Sequence, residues 1–151
     1  MISLSRFQRG AGAVCVLLAV VVLLGVAGCG SEPYSMVPVS GKVTYEDGSA
    51  IPASRIRVVF NPQAEAIDAA THPRPGEANV DMADGTFSQV TSHKFGDGVT
   101  VGKHKIQVIS LDEMENETDA VPEIYRRVET TPLEFDIDKG SNDIELKIKK
   151  P

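Results

Sequence analysis

From residue 37 onward, apolar side chains recur at every second position in short runs, and each run is closed by glycine, proline or aspartate. That alternation leaves the chain few folds to choose from. The cleanest run sets Ile144, Leu146 and Ile148 against Glu145, Lys147 and Lys149. Val37, Val39, Gly41, Val43 and Tyr45 share one parity, with Ser40, Lys42 and Thr44 on the other. Ile56, Val58 and Phe60 alternate with Arg57 and Val59, and Leu133, Phe135 and Ile137 with Glu134, Asp136 and Asp138. Within residues 102–111, Ile106 and Val108 oppose Lys103, Lys105 and Gln107. Successive side chains of a strand point to opposite faces, so each run can bury one face and wet the other.

The segments between these runs have turn chemistry. Glu46-Asp47-Gly48-Ser49, Asp84-Gly85 and Lys139-Gly140-Ser141-Asn142 are expected to reverse the chain. Asp84-Gly85 sits between a strand over residues 78–82 and a return strand over residues 86–91, as in a hairpin. Residues 61–76 hold three prolines and four alanines and read as a loop, with one helical turn expected over residues 66–70. A second helical turn is expected in Pro122-Glu123-Ile124-Tyr125-Arg126-Arg127. No internal repeat and no long amphipathic helix is present. Seven or so short strands at this spacing predict an all-β chain, an antiparallel sandwich. Its core is expected from Val39, Val43, Ile56, Val58, Phe60, Val80, Phe87, Ile106, Val108, Leu133, Phe135, Ile144, Leu146 and Ile148. Tryptophan is absent and aromatics make up 5% of residues, so no aromatic platform for stacking sugars or bases is expected.

The first 28 residues follow a different rule. Arg6 and Arg9 precede an apolar, uncharged run over residues 11–25. A positive segment followed by such a run has the form of an export signal. It ends in Val26-Ala27-Gly28-Cys29, which resembles the lipobox of bacterial lipoproteins: aliphatic, small, small, cysteine. The resemblance implies cleavage of a signal helix, residues 1–28, and a diacylglyceryl thioether with palmitate-type chains on Cys29. Residues 29–36 then read as a tether and residues 37–150 as the folded domain. An uncleaved transmembrane anchor and ordinary secretion remain alternatives, since the apolar stretch approaches the roughly 17–25 residues that a span needs. Cys15 lies inside the leader, so the domain holds neither a disulfide nor a thiolate metal site. The formal net charge is -6, and two of the fifteen basic residues lie in the leader. An acidic domain is a poor partner for nucleic acid or for anionic lipid by charge alone.

Val39-Ser40-Gly41-Lys42-Val43-Thr44-Tyr45-Glu46-Asp47-Gly48, then Arg55 to Phe60, then Asp84-Gly85-Thr86-Phe87, then Gly102-Lys103-His104-Lys105-Ile106-Gln107-Val108, together resemble a transthyretin-like domain of the carboxypeptidase regulatory type. Val121-Pro122-Glu123-Ile124-Tyr125 and Thr130-Thr131-Pro132-Leu133-Glu134-Phe135 resemble the version in short lipoproteins of planctomycete-type bacteria. The resemblance implies a seven-stranded Greek-key sandwich with no chemistry of its own. Hydroxyisourate hydrolases share that fold but use a Tyr-Arg-Gly-Ser type motif, where this chain has Lys147-Ile148-Lys149-Lys150-Pro151.

Other candidates for chemistry are few. His72, His93 and His104 are the only imidazoles, and no two share a metal-ligand spacing. His104, on a strand, is expected to pack in the interior. Asp112, Glu113, Glu115, Glu117 and Asp119 could collect a hard cation, but they lack the regular alternation and glycine of a calcium loop and read as a solvated hairpin tip. The sequence therefore predicts no catalytic, cofactor or metal residues, with Cys29 as the one site. The expected role is that of a non-enzymatic, lipid-anchored protein of the cell envelope, facing the periplasm or cell surface. It would bind, scaffold or brace an envelope protein or glycan. A small hydrolase using loop histidines and acids, and a solute- or cation-binding role in transport or sensing, are the alternatives.

Overall fold

A computed structural model describes residues 34–68 and 70–151. The signal segment, Cys29 and most of the tether lie outside them. The regular structure of the described residues is almost wholly strand: β1 Met36–Val37, β2 Val39–Tyr45, β3 Arg55–Pro62, β4 Gly76–Asn79, β5 Thr86–Phe87, β6 Val99–Thr100, β7 Gly102–Leu111, β8 Glu134–Ile137 and β9 Asn142–Ile148. One helical turn, α1, covers Glu123–Arg126. No helix among the described residues is long and apolar enough to cross a membrane.

Hydrogen bonds join the strands into sheets ordered β1-β6, β5-β2-β9 and β4-β3-β7-β8. The two larger sheets contribute to one core. Val43, Phe87 and Leu146 come from the three-stranded sheet, and Ile56, Val58, Phe60, Ile106 and Val108 from the four-stranded one. The Phe60 and Phe87 rings meet between them, 6.0 Å apart and tilted. Eleven of the fourteen expected core residues are buried; Leu133, Phe135 and Ile144 pack against the core while partly exposed.

Three expectations need correction. The sheets are not uniformly antiparallel, because β2 and β9 pair in parallel, Val39 with Asn142 through Tyr45 with Ile148. Alternation fixes which face a strand buries and carries no information about its direction. A parallel pair needs a long crossover, and here everything between Tyr45 and Asn142 supplies it. Among the described residues there are also nine strands rather than seven. Pro38 has no N–H to give to a ladder, and the chain changes partner there: Val37 pairs with Val99, and Val39 with Asn142. Strand pairing thus begins at Met36, inside the segment read as tether. Finally, residues 66–70 form no helical turn among the described positions. The Ile67 N–H bonds forward to the Thr71 carbonyl, and Asp68 takes the N–H groups of Ala70 and Thr71.

The return strand after Asp84-Gly85 is shorter than expected. It pairs as Thr86–Phe87, breaks at Gln89, where φ is 54°, and rejoins at Thr91. That break is what opens a cleft.

Candidate functional site

The outward positions of β3 and β4 form the floor of a cleft of about 650 Å³. Arg55 and Arg57 come from β3, Glu77 and Asn79 from β4, and register sets Arg57 opposite Asn79. These residues face outward because Ile56, Val58 and Ala78, between them, are the ones buried.

One wall is the chain from Ser88 to Phe95. Thr91 fastens it to Glu77 by two backbone bonds, at 2.9 and 2.8 Å. Asp97 then closes the loop: its carboxylate accepts N–H groups from Ser92, His93 and Lys94 at 2.8 to 3.0 Å. Partial burial alone would raise the Asp97 pKa; the bonds from Ser92, Lys94 and His93 outweigh it and hold the carboxyl below its usual range. Phe95 stands at the top of this loop, 82% exposed. The other wall is the turn that carries Glu115, at φ 65°. Asp112 braces that turn by accepting the Met114 and Asn116 N–H groups at 2.8 and 2.9 Å. Non-glycine residues at positive φ are uncommon and concentrate where function constrains the backbone. Gln89 and Glu115 are the two among the described residues, and both line this cleft.

The cleft is electrically balanced. Arg55 pairs with Glu115, and Arg57 lies 4.0 Å from Glu77. Ser88, Asn79, Gln89, Thr91 and Ser92 add groups that donate and accept. Sequence reasoning missed the site, because its floor is the polar half of two amphipathic strands and looks like ordinary solvent-facing surface. No local sequence signal marks it: the break at Gln89 is a positive-φ conformation that a glutamine in a strand-like run does not announce.

The histidines and acids singled out from the sequence lie elsewhere or have other duties. His104 is buried, edge-on to Phe60 at 6.3 Å. Its Nδ1 lies 2.9 Å from the Gly102 carbonyl and its Nε2 3.4 Å from Thr100 Oγ1. A neutral ring that donates from Nδ1 and accepts at Nε2 satisfies both. Burial lowers the His104 pKa, with the Gly102 bond and the Asp136 charge opposing it more weakly. The fold therefore accepts the neutral ring. The stability linked to it is complete above the ordinary value of 6.5 and is lost as pH falls through the lower folded value. Between about pH 7.5 and pH 5.5, thermal melts should show a falling Tm in the wild type and a flatter profile in His104→Asn. Equal slopes would show that His104 is not the group responsible. His72 and His93 are exposed in loops, and neither imidazole makes a hydrogen bond among the described residues.

The acidic loop is tied up internally. Arg126 reaches Glu117 at 3.3 Å and Asp119 at 3.0 Å, Arg127 also reaches Glu117 at 3.3 Å, and Asp112 is the turn's own brace. No group of three or more His, Cys, Asp or Glu side chains that could hold a metal occurs among the described residues. Ser110, which sequence reasoning passed over, is the hub of this region. Fully buried, it donates to the Thr118 carbonyl and accepts from Thr118 Oγ1 and the Val121 N–H. Comparison of the chain with models of known protein families, with curated proteins and with solved structures gave no match.

Proposed function

We propose that this chain is a non-catalytic, lipid-anchored module of the cell envelope, a transthyretin-like Greek-key sandwich of the carboxypeptidase regulatory type, that binds a glycan segment in the β3–β4 cleft. The observation that carries the reading is the cleft's composition: paired charges of both signs beside neutral amide and hydroxyl groups, held by two braced turns. Sugar hydroxyls both donate and accept, so a charge-balanced lining that does both suits them better than it suits an ion. The shared core between a three-stranded and a four-stranded sheet supports the sandwich reading. The cleft's two acids, Glu115 and Glu77, are paired with Arg55 and Arg57, and two of its hydroxyls are committed, Thr91 Oγ1 to the Gln89 carbonyl and Ser92 Oγ to the Arg74 carbonyl. The Val26-Ala27-Gly28-Cys29 pattern supports the anchor.

Two measurements test this. Cells making the full chain should place labelled palmitate on the wild type and none on Cys29→Ala, which should accumulate as precursor; a wild type that takes up no palmitate refutes the anchor. Binding to solubilised envelope polysaccharide should weaken about tenfold when Arg57 and Asn79 are both replaced by alanine, the loss of one or two charge-assisted hydrogen bonds. Unchanged binding by that variant refutes the cleft as the site.

A further inference from the structure

In the three-stranded sheet, ordered β5-β2-β9, β9 is an outer strand. The Glu46 N–H donates to the Ile148 carbonyl, so Ile148 turns its peptide groups toward β2. Along a strand these groups alternate in direction, as the side chains do. Ile144 and Leu146 therefore share the direction of Ile148, while Asp143, Glu145, Lys147 and Lys149 turn theirs to the outer flank. Lys149 fixes the phase, because its N–H meets Tyr125 Oη at 3.2 Å rather than β2. The outward peptide groups of Glu145 and Lys147 have no partner among the described residues.

Such a flank is a template for another strand, and proteins commonly guard it with charge. A row of one sign keeps copies of the same chain apart. β9 carries a different order: Asp143 and Glu145 come first, then Lys147 and Lys149. Turned end for end, the row is complementary to itself.

We propose that β9 is a homotypic interface, pairing antiparallel with β9 of a second copy about a two-fold axis at Leu146. In that register Glu145 stands opposite Lys147 of the second copy and Asp143 opposite Lys149, so every outward charge meets one of opposite sign. The same register joins the outward N–H and C=O groups of Glu145 to those of Lys147. Sliding the pair by two residues either way sets Glu145 against Glu145 or Lys147 against Lys147, and like charges directly opposite destabilise a pair. In the single copy Lys147 Nζ lies 3.4 Å from Glu145, with both side chains more than half exposed, so each can turn to a partner. Space for the second strand lies beside the flank. A groove of about 650 Å³ is lined by Lys147 and Lys149 together with Ile124, Pro132 and Leu133. The first residues of the incoming strand would occupy it and cover Ile124, which is 49% exposed. One strand edge is a small contact, below the roughly 1,200 Å² of stable complexes, so the association should be weak and reversible. It depends on neither the anchor nor the cleft, whose lining includes no residue of β9.

Full chains bearing two different tags are made together in one cell. The broken cells are treated with a carbodiimide, which joins a carboxylate to an amine in contact with it, and one tag is captured under denaturing conditions. Wild-type chains should carry the second tag with them, and mass spectrometry should place the cross-link between Glu145 and Lys147. E145K made with E145K, and K147E made with K147E, should lose at least about fivefold of the cross-linked product. E145K made with K147E should regain it, because opposite signs face each other again. Both positions are exposed, so thermal melts should find every variant as stable as the wild type. A wild type that gives no cross-linked pair, a product that survives unchanged in the single-variant pairs, or a mixed pair that fails to restore it overturns β9 as the interface.

Discussion

Truncating Phe60 to alanine should lower stability by about 3–5 kcal/mol, a large share of the roughly 5–15 kcal/mol that holds a domain together. Phe60 is fully buried on β3 and joins the two larger sheets. It meets Phe87 on β5 at 6.0 Å and His104 on β7 at 6.3 Å. Its other neighbours in the core are mostly Val and Ile. Such β-branched side chains have restricted rotamers and cannot swing in to fill a vacated ring. Urea denaturation measures the effect, and Phe95→Ala is the matched control: the same atoms are removed from a ring that is 82% exposed, and stability should change by no more than about 0.5 kcal/mol. A Phe60→Ala loss below about 1 kcal/mol would mean that the two sheets do not close on this ring.

Gly98→Ala should be nearly as damaging, for a reason of backbone rather than volume. Gly98 has φ of +86°, and a Cβ there would lie 1.9 Å from the Val37 carbonyl oxygen. The conformation alone costs an L-residue about 1–2 kcal/mol. The overlap is with main chain, which cannot rotate away, so β1 must leave β6. The expected total is at least about 2 kcal/mol, concentrated at the start of the body. Hydrogen exchange should show it: the Val101 amide, which bonds to Ser35, should lose protection, while amides at the middle of β7 keep theirs. Gly48→Ala separates the two causes, since φ is +82° there and nothing lies within 4 Å of the added carbon. It should show the conformational cost without the opening. Equal effects at the two sites would remove the clash from the explanation.

The alternation of residues 102–111 and 142–148 announced β7 and β9 almost to the residue, because each strand has one face in a core and one in water. Ile137, Val90 and Val99 are just as buried, yet Val90 and Val99 lie in stretches too short or too irregular to show a period. Tyr45 and Tyr125 went unassigned because their burial depends on distant partners: Tyr45 Oη donates to the Ala120 carbonyl, and Tyr125 Oη accepts the Lys149 N–H. The cleft was illegible for a related reason. Arg57, Asn79 and Glu77 read as solvent-facing positions, which they are; only the break at Gln89 and the brace at Asp97 fold a wall over them. Direction was hidden too, since Ile144, Leu146 and Ile148 would bury the same side in either orientation.

The parallel ladder between β2 and β9 carries a kinetic consequence. Its partners stand about a hundred positions apart in the chain, so the ladder closes one of the largest loops the domain can make. Closure over so long a loop is slow, and high contact order of this kind delays folding. A nascent chain emerging from its amino end holds β2 with one flank open until β9 arrives.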